Sequence, residues 1–576
     1  MKIDPISAEV ILSRLAEVGA TMEHALYHSG YSPVLRESQD GTAGLLDADG
    51  RIVMISGGLQ YHSLVYGHAV ESVIERFGAD GLRPGDTFIV NDPYRGGNSH
   101  VPDVVVVTPV FHGGRRIAFA VSVAHKADVG GIVPGSSGAA AREIFHDGLL
   151  LPPVRYMTAA GVDEAIEDII RSNSRIPEIV IGDLRGQAGC TRLGAERLAA
   201  LADEYGADLI AAAMDELLRT TASRARAAIA RWADGESAAE GLLDHDGANR
   251  ELPVRIHVRV IKRRDRITLD FSGCDPQTLG PVNLNSVTTR AISLVAFVAA
   301  ADPELPVNAG LLEPIDFVIP EGKVVSPRRP ATVNNYVPTM HVVYNCLMAA
   351  LGHFNPARAV APSGLGGGAI AIGYPEARGG HPDVQYELMS TGLGATPTHD
   401  GASIIMAMNH FTPSTPIEVL ESEYPVTVRR FDVRRDSAGA GTYRGGIGFI
   451  REYQVKTPCT LTVRHSNHRF GVSGIQRGTG PMTSRALLEA GPGEPEQLDI
   501  MVTRSLNAGT IFRLEQSGGA GYGAPHERPI AVVAQDVADG YVSIESAARD
   551  YGVIIDPETL EIDEVATAAM RAKLSG

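Results

Sequence analysis

The stretch 91–131, NDPYRGGNSHVPDVVVVTPVFHGGRRIAFAVSVAHKADVGG, decides how the chain reads. Two polar clusters, 91–103 and 125–128, flank two apolar runs, 104–111 and 115–123, and His112, Gly113 and Gly114 lie between the runs. Valine-rich runs joined by a glycine turn predict a β-hairpin. Folding it about Gly113–Gly114 pairs residues whose numbers sum to roughly 227. Asp103 then falls across from about Ala124, and the segments 100–103 and 125–128 meet at one end. His100, Asp103, His125 and Asp128 gather there. Two imidazoles and two carboxylates suit Zn²⁺ or Mn²⁺. Asp and His are also ordinary residues of strand ends and turns, where they bond backbone, and this spacing matches no high-specificity zinc pattern.

The remaining chain must supply a scaffold. Its 576 residues exceed one compact core and predict two to four domains. The 63 glycines and 35 prolines favour tight turns and loops over helical bundles. The net charge of −17 argues against nucleic acid, which needs clustered Lys and Arg. Cys190, Cys274, Cys346 and Cys459 are far apart and form no CxxC, which excludes zinc-finger and thioredoxin-type chemistry and suits a reducing cytosol. The first residues have no signal-peptide character, and no apolar run reaches the ~18–20 residues that span a bilayer. A cytoplasmic protein is expected, with no membrane contact.

In chain order, Asp4-Pro5 predicts a capped helix start, with Val10, Leu12, Leu15, Val18 and Met22 on one side up to about His28. Asp40 precedes a strand at 43–47, and Asp49-Gly50 predicts a hairpin turn into 51–55. Taken alone, Asp40 is a turn residue. His62 and His68 lie in a loop before a helix at about 69–77, and a strand at 87–90 delivers Asn91 and Asp92. The Gly/Ser-rich loop after the hairpin could act as a lid or offer backbone N–H groups to an anion. Segments 178–201 and 208–232 have the length and spacing of two long packed helices, and 234–237 reads as a break. Strands follow at 252–262 and 267–271, then a loop into a helix at 282–300, then a long Gly/Pro/Asn-rich stretch to about 410. Residues 418–515 are strand-rich with regular turns, as in a sandwich or barrel. The tail predicts a strand at 530–535 and helices at 542–551 and 565–574.

The expected fold class is therefore α+β and multidomain. Mixed and antiparallel sheets accompany a long helical pair in the N-terminal half and a β-rich C-terminal region. The expected divisions are 1–245, 246–415 and 416–576. No GxxxxGK[ST] motif is present, and no glycine run sits in a βαβ unit with an acidic residue about 20 positions on, so no standard nucleotide site is predicted.

The pattern NDPYxGG, HxPD, VVxPVF, AHxAD and PGS is similar to that of the hydantoinase B/oxoprolinase family. Further similarity extends through LDADGR at 46–51, GDLRGQ at 182–187, DFSG at 270–273, PIEVLE at 416–421, DSAGAGTYRGG at 436–446 and SGGAGYG at 517–523. This family includes subunits of ATP-dependent hydantoinases and lactamases, the C-terminal part of 5-oxoprolinase, and subunits of acetone- and acetophenone-type carboxylases. The resemblance implies a divalent metal, Zn or Mn with Fe as a third option, held by Asp40, His100, Asp103 and His125. It moves Asp128 and Asp92 to supporting positions, and it leaves Asp128 or His62 to assist proton transfer. It further implies that ATP is used by a hydantoinase A-type ATPase subunit, in an α2β2 or larger hetero-oligomer, and is not bound here. The implied reaction is ATP-dependent opening of a hydantoin, N-methylhydantoin, oxoproline or lactam ring. The alternatives are a ketone carboxylase subunit, whose family counterparts are longer, and a non-catalytic scaffold. Many relatives carry two adjacent histidines where this chain has His125-Lys126, and Thr where it has Ser99.

Overall fold

A computed structural model describes residues 3–405, 412–489 and 493–575. The first sheet has seven strands: β1 (Gly41–Asp47), β2 (Ile52–Ile55), β3 (Thr87–Val90), β4 (Asp103–His112), β5 (Arg115–His125), β6 (Val154–Thr158) and β7 (Gly161–Val162). Their order is β2-β1-β5-β4-β3-β6-β7, and the pairs are antiparallel. The predicted hairpin is therefore the centre of the sheet. Its register is one residue off the simple turn count. A bulge between Val110 and Phe111 shifts the pairing, so that Asp103 lies directly opposite His125 and Val104 opposite Ala124.

Both faces of this sheet are covered, which explains the unbroken valine run. Val105, Val107, Val121 and Val123 pack under the helix Ser63–Phe77 with Tyr66, Val70 and Phe88. On the other face Val104 and Val106 meet Val180, Ile181 and Leu184 of the helix Pro177–Tyr205. Ala118, Ala120 and Ala124 leave room there for the helix Pro5–His28. That helix starts as expected, with Asp4 accepting from Ser7 N (2.9 Å) and Pro5 in its first turn. Its buried side carries Ile11, Leu15, Val18, Met22 and Leu26, whereas Val10 is exposed. Burying each such side chain contributes about 1.5–3 kcal/mol. The second long helix is Ala207–Ala230.

The second sheet holds β8 (Gly235–Leu243), β9 (Val254–Arg263), β10 (Arg266–Asp270) and β11 (Ile315–Val318) in the order β11-β10-β9-β8. The segment read as a break at 234–237 starts β8. Alternation of exposed Ala and Glu with half-buried neighbours hid that strand. The helices Ser286–Ala301 and Tyr336–Gly352 pack with this sheet in one core. The second of them lies inside the stretch read as Gly/Pro/Asn-rich. So do β12 (Gly368–Tyr374) and β13 (Asp383–Met389).

The later strands are β14 (Val426–Val433), β15 (Phe449–Val455), β16 (Cys459–Arg464), β17 (Arg485–Glu489), β18 (Glu496–Gln497), β19 (Met501–Leu506) and β20 (Ile511–Glu515). They divide into sheets ordered β13-β12-β16-β19 and β14-β15-β20-β17-β18. Ile370, Ile372 and Val463 of the first share a core with Phe449, Tyr453 and Leu514 of the second, so of the sandwich and the barrel that the regular turns left open the chain forms the sandwich. β12 and β13 thus join strands from beyond residue 416. The tail segment expected as a strand at 530–535 is instead the helix Ile530–Ala538. A short apolar run does not distinguish the two by periodicity, and Pro529 suits a helix start.

Beside this sandwich, glycine segments pack backbone to backbone. Gly446 N donates to Leu393 O (2.8 Å), Gly519 N to Gly446 O (2.8 Å) and Gly439 N to Gly519 O (2.8 Å). A Cβ on Gly519 would lie 1.8 Å from Leu393 O, and one on Gly446 1.9 Å from Ala402 O. The glycine runs are spacers in this layer. Among the described residues, no helix is long and apolar enough to cross a membrane.

Candidate metal centre

The sheet brings the polar ends of its middle strands to one point. Asp103 opens β4 and His125 closes β5, and the two are register partners. Gly41 pairs with Ala124, and His125 N donates to Asp40 O (3.0 Å), so Asp40 arrives from the neighbouring strand. His100 is placed by a tight turn in which Asp103 N donates to His100 O (3.1 Å). Asn98 Nδ2 holds that turn through Asn91 O (2.8 Å) and His100 O (2.6 Å). Asn91 in turn donates to Val101 O (2.8 Å) and accepts from Leu151 N (2.6 Å). The NDPY segment is thus a brace for the His100 turn.

His100 Nε2 lies 2.9 Å from Asp103 Oδ1 and 3.1 Å from His125 Nδ1, and His125 Nδ1 lies 3.2 Å from Asp103 Oδ1. His62 Nε2 stands 3.9 Å from Asp103 Oδ2. All five groups, Asp40 included, are buried. His62 Nε2, Asp103 Oδ2 and His125 Nε2 have no hydrogen-bond partner. Burial pushes His62 and His125 down to about 4, so both are neutral imidazoles with a free lone pair. Burial works to raise Asp103, but His100 and His125 outweigh it and hold that carboxyl below its usual range. Burial, and then the Asp103 charge, push Asp40 well above its ordinary value. The Asp103 carboxylate and the imidazole nitrogens, buried together with Asp40 nearby, are a poor arrangement for themselves and a good donor set for one divalent cation. Ligand atoms of His100, Asp103 and His125 all lie within 4.8 Å of one another. The residues fit a metal.

Asp128 is elsewhere. Its carboxylate accepts from Gly130 N (3.0 Å), Gly135 N (2.9 Å), Arg175 N (3.0 Å) and Arg175 Nη1 (3.0 Å). It pins the Gly/Ser-rich loop and uses an amide that could otherwise face an anion. Asp92 caps Tyr94 N (3.0 Å) and pairs with Arg329 (3.1 Å). Lys126 turns toward the helix Pro177–Tyr205, where it donates to Gln187 Oε1 (2.7 Å), and burial brings it down to about 8.

The wall of the centre comes from residues that sequence reasoning did not single out. Tyr336 packs edge-on to His100 with centroids 5.0 Å apart, and its hydroxyl meets that of Tyr61 (3.2 Å). The Tyr386 ring lies 4.3 Å from His125. Arg464, at the end of β16, donates from Nη1 to Asn334 O (3.0 Å) and from Nη2 to the Tyr386 hydroxyl. The only sequence signal was Asn334-Asn335 in a stretch given no role. A cleft of ≈ 840 Å³, lined among others by Tyr27, Gln39, Gln60, Val295 and Tyr344, reaches the segments that carry Asp40 and His62. Gln39, at its edge, has φ 53°, a left-handed backbone that turns the chain into Asp40.

His341, in the helix Tyr336–Gly352, is buried with both ring nitrogens unpartnered, and burial brings it down to about 4. A depressed imidazole contributes stability above its unfolded value of 6.5, and that stability is lost as pH falls toward 4. His341→Met is expected to remove about 3 kcal/mol of this acid sensitivity. Thermal midpoints of the two proteins, compared at pH 7 and near pH 4, measure it. An equal acid-induced drop in both excludes His341 as a source.

A multi-sheet α+β chain that closes a His/Asp cluster inside a twice-covered sheet is a protein built to hold a buried polar centre. The chain belongs to the hydantoinase B/oxoprolinase family, whose pattern it matches over residues 4–525. It is 31% identical over 589 residues to a putative D-/L-hydantoinase subunit from Pseudomonas sp. (strain NS671), covering 99% of this chain and 98% of that one. Its structure resembles the crystal structure of the ATP-dependent caprolactamase from Pseudomonas jessenii, with a TM-score of 0.90 and 27% identity over 99% of this chain and 100% of that one. The fold is also that of nucleotide-free acetone carboxylase, with a TM-score of 0.91 at 20% identity, over 99% of this chain and 83% of that one.

Proposed function

We propose that this chain is the metal-holding, hydrolytic subunit of an ATP-dependent cyclic-amide hydrolase. Its substrate is a hydantoin, an oxoproline or a lactam, activated by phosphorylation in a hydantoinase A-type partner within a cytoplasmic α2β2 or larger hetero-oligomer. The observation that carries this reading is the buried His100–Asp103–His125 cluster with its unpartnered donor atoms. Asp40 is the fourth ligand. A bound Zn²⁺, Mn²⁺ or Fe²⁺ would supply Lewis acidity and bring a water to deprotonation near neutral pH. Activation in the partner is needed because amide resonance makes the ring carbonyl a poor electrophile.

The residues of this chain divide the remaining work. Asp103 and Asp40 hold the charge of the centre. The NDPY brace fixes the His100 ring, and Tyr336 and Tyr386 exclude water. His62, neutral and with Nε2 unpartnered, takes up a proton beside Asp103 and returns it to the departing ring nitrogen. Asp128 is left out of this role because four donors already occupy its carboxylate.

Co-expression with the neighbouring ATPase subunit, followed by assay of hydantoins, lactams and ketones with ATP, tests the proposal. Ring opening without bicarbonate supports it. Bicarbonate-dependent loss of a ketone, with no cyclic amide opened, replaces it by the carboxylase reading. Within the hydrolase, His62→Gln is expected to lower kcat by about 10²–10⁴-fold while metal content stays at the wild-type level. An unchanged kcat removes His62 from proton transfer.

A further inference from the structure

The buried arginines of the C-terminal half differ in one respect. Arg434, Arg444, Arg451 and Arg528 each have a carboxylate oxygen within reach, at 3.5, 3.3, 3.1 and 2.7 Å. Arg464 is equally buried, at 4% exposure, but among the described residues no carboxylate lies within the 4.0 Å of an ion pair. Its Nη1 and Nη2 are used by the Asn334 carbonyl and the Tyr386 hydroxyl, and its Nε has no partner. The same Asn334 carbonyl lies 3.2 Å from His100 Nδ1, and the ring of Tyr386 lies over His125. The guanidinium thus stands one residue behind two of the proposed ligands. Next to it, the 17-residue helix Tyr336–Gly352 begins at Asn335 with no side-chain cap, and Asn335 Nδ2 is a second buried donor without a partner.

Charge balance gives these donors a purpose. A divalent ion among Asp40, Asp103 and neutral imidazoles is already neutralised by the two carboxylates. Arg464 then adds a positive charge that the buried carboxylates of Asp40 and Asp147 feel only through space, in a buried site where an anion that pairs with it directly is favoured. We propose that Arg464, with the Asn335 amide and the start of that helix, binds a phosphoryl oxyanion beside the metal centre. This rests on the hydrolase reading: the anion is the phosphate carried in on the activated substrate and left behind as inorganic phosphate. A planar fork donating in a fixed geometry suits a phosphoryl group better than a lysine would.

The test uses the two-subunit complex loaded with Mn²⁺. The paramagnetic ion broadens the ³¹P signal of inorganic phosphate bound beside it, and phosphate held at a distant nucleotide site gives little effect. Strong broadening in the wild type is expected, with apparent affinity lower by about tenfold or more in Arg464→Met and an intermediate loss in Arg464→Lys, at unchanged Mn²⁺ stoichiometry. Equal broadening in wild type and Arg464→Met overturns the proposal, as does a site that takes bicarbonate but no phosphate. If Arg464→Met does not fold, Arg464→Lys and Tyr386→Phe carry the comparison, and retained affinity in Arg464→Lys counts against the guanidinium. Phosphate binding that depends on Arg464 in a complex that opens no cyclic amide sinks the hydrolase reading and leaves the oxyanion site without its assigned source. Failure to bind Mn²⁺ sinks the metal reading, and calorimetry with phosphate on the same variants then decides the role of Arg464.

Discussion

Replacing His125 by alanine is expected to leave a folded chain that holds little divalent metal, with ATP-dependent ring opening lower by on the order of 10³-fold or more. The reason is local. His125 Nδ1 lies 3.2 Å from Asp103 Oδ1 and 3.1 Å from His100 Nε2, so its loss removes one donor and a bond that positions another. The backbone stays paired, because β5 is held on both sides by β1 and β4. The fold should lose only about 1–3 kcal/mol for the Asp103 carboxylate left short of a partner. Metal analysis, the thermal midpoint and turnover by the two-subunit complex separate these effects. A His125→Ala protein with full metal and full activity would remove the hairpin end as the reaction centre.

A single added methyl group is expected to be as damaging to folding as the His125 change is to chemistry. Gly519→Ala places a Cβ 1.8 Å from Leu393 O, a backbone atom with no rotamer to move. Three neighbouring segments would have to separate, breaking the bonds from Gly519 N to Gly446 O and from Gly439 N to Gly519 O. The cost is expected to exceed about 4 kcal/mol, the range of severe overpacking and lost backbone bonding. Gly189→Ala is the control. Gly189 is an exposed position inside the helix Pro177–Tyr205 with nothing within 4 Å of a new Cβ, and there alanine should add up to about 1 kcal/mol. Soluble yield and thermal midpoints of the pair report the contrast. A Gly519→Ala protein as stable as wild type would show that the glycine layer tolerates side chains.

The centre was legible in the sequence to the extent that it is local. A hairpin read from valine runs and a glycine turn sufficed to bring His100, Asp103 and His125 together, because strand pairing converts sequence position into proximity. Asp40 required either the family resemblance or the register of β1 on β5. Asp128 misled the reading: three residues beyond a strand end the chain is free to turn, and here it turns into its own loop. The missed wall residues share one feature. Tyr336, Tyr386 and Arg464 come from a helix, a strand and a strand end separated from the hairpin by some 200–360 residues, and nothing in their own surroundings marks them.

By itself the sequence determined what depends on periodicity and local chemistry: the capped first helix, the long helical pair, the central hairpin and the donor types at its end. The tertiary structure decided the rest. A one-residue bulge set Asp103 against His125. A helix and two strands formed inside a stretch whose glycines and prolines had masked them. The glycine runs became a layer of touching backbones, because only packing against distant segments excludes a Cβ. The electrostatics of the centre also arose only in the fold: burial and mutual approach of distant segments hold His62 and His125 neutral and bring Arg464 to their side with, among the described residues, no carboxylate in ion-pair contact.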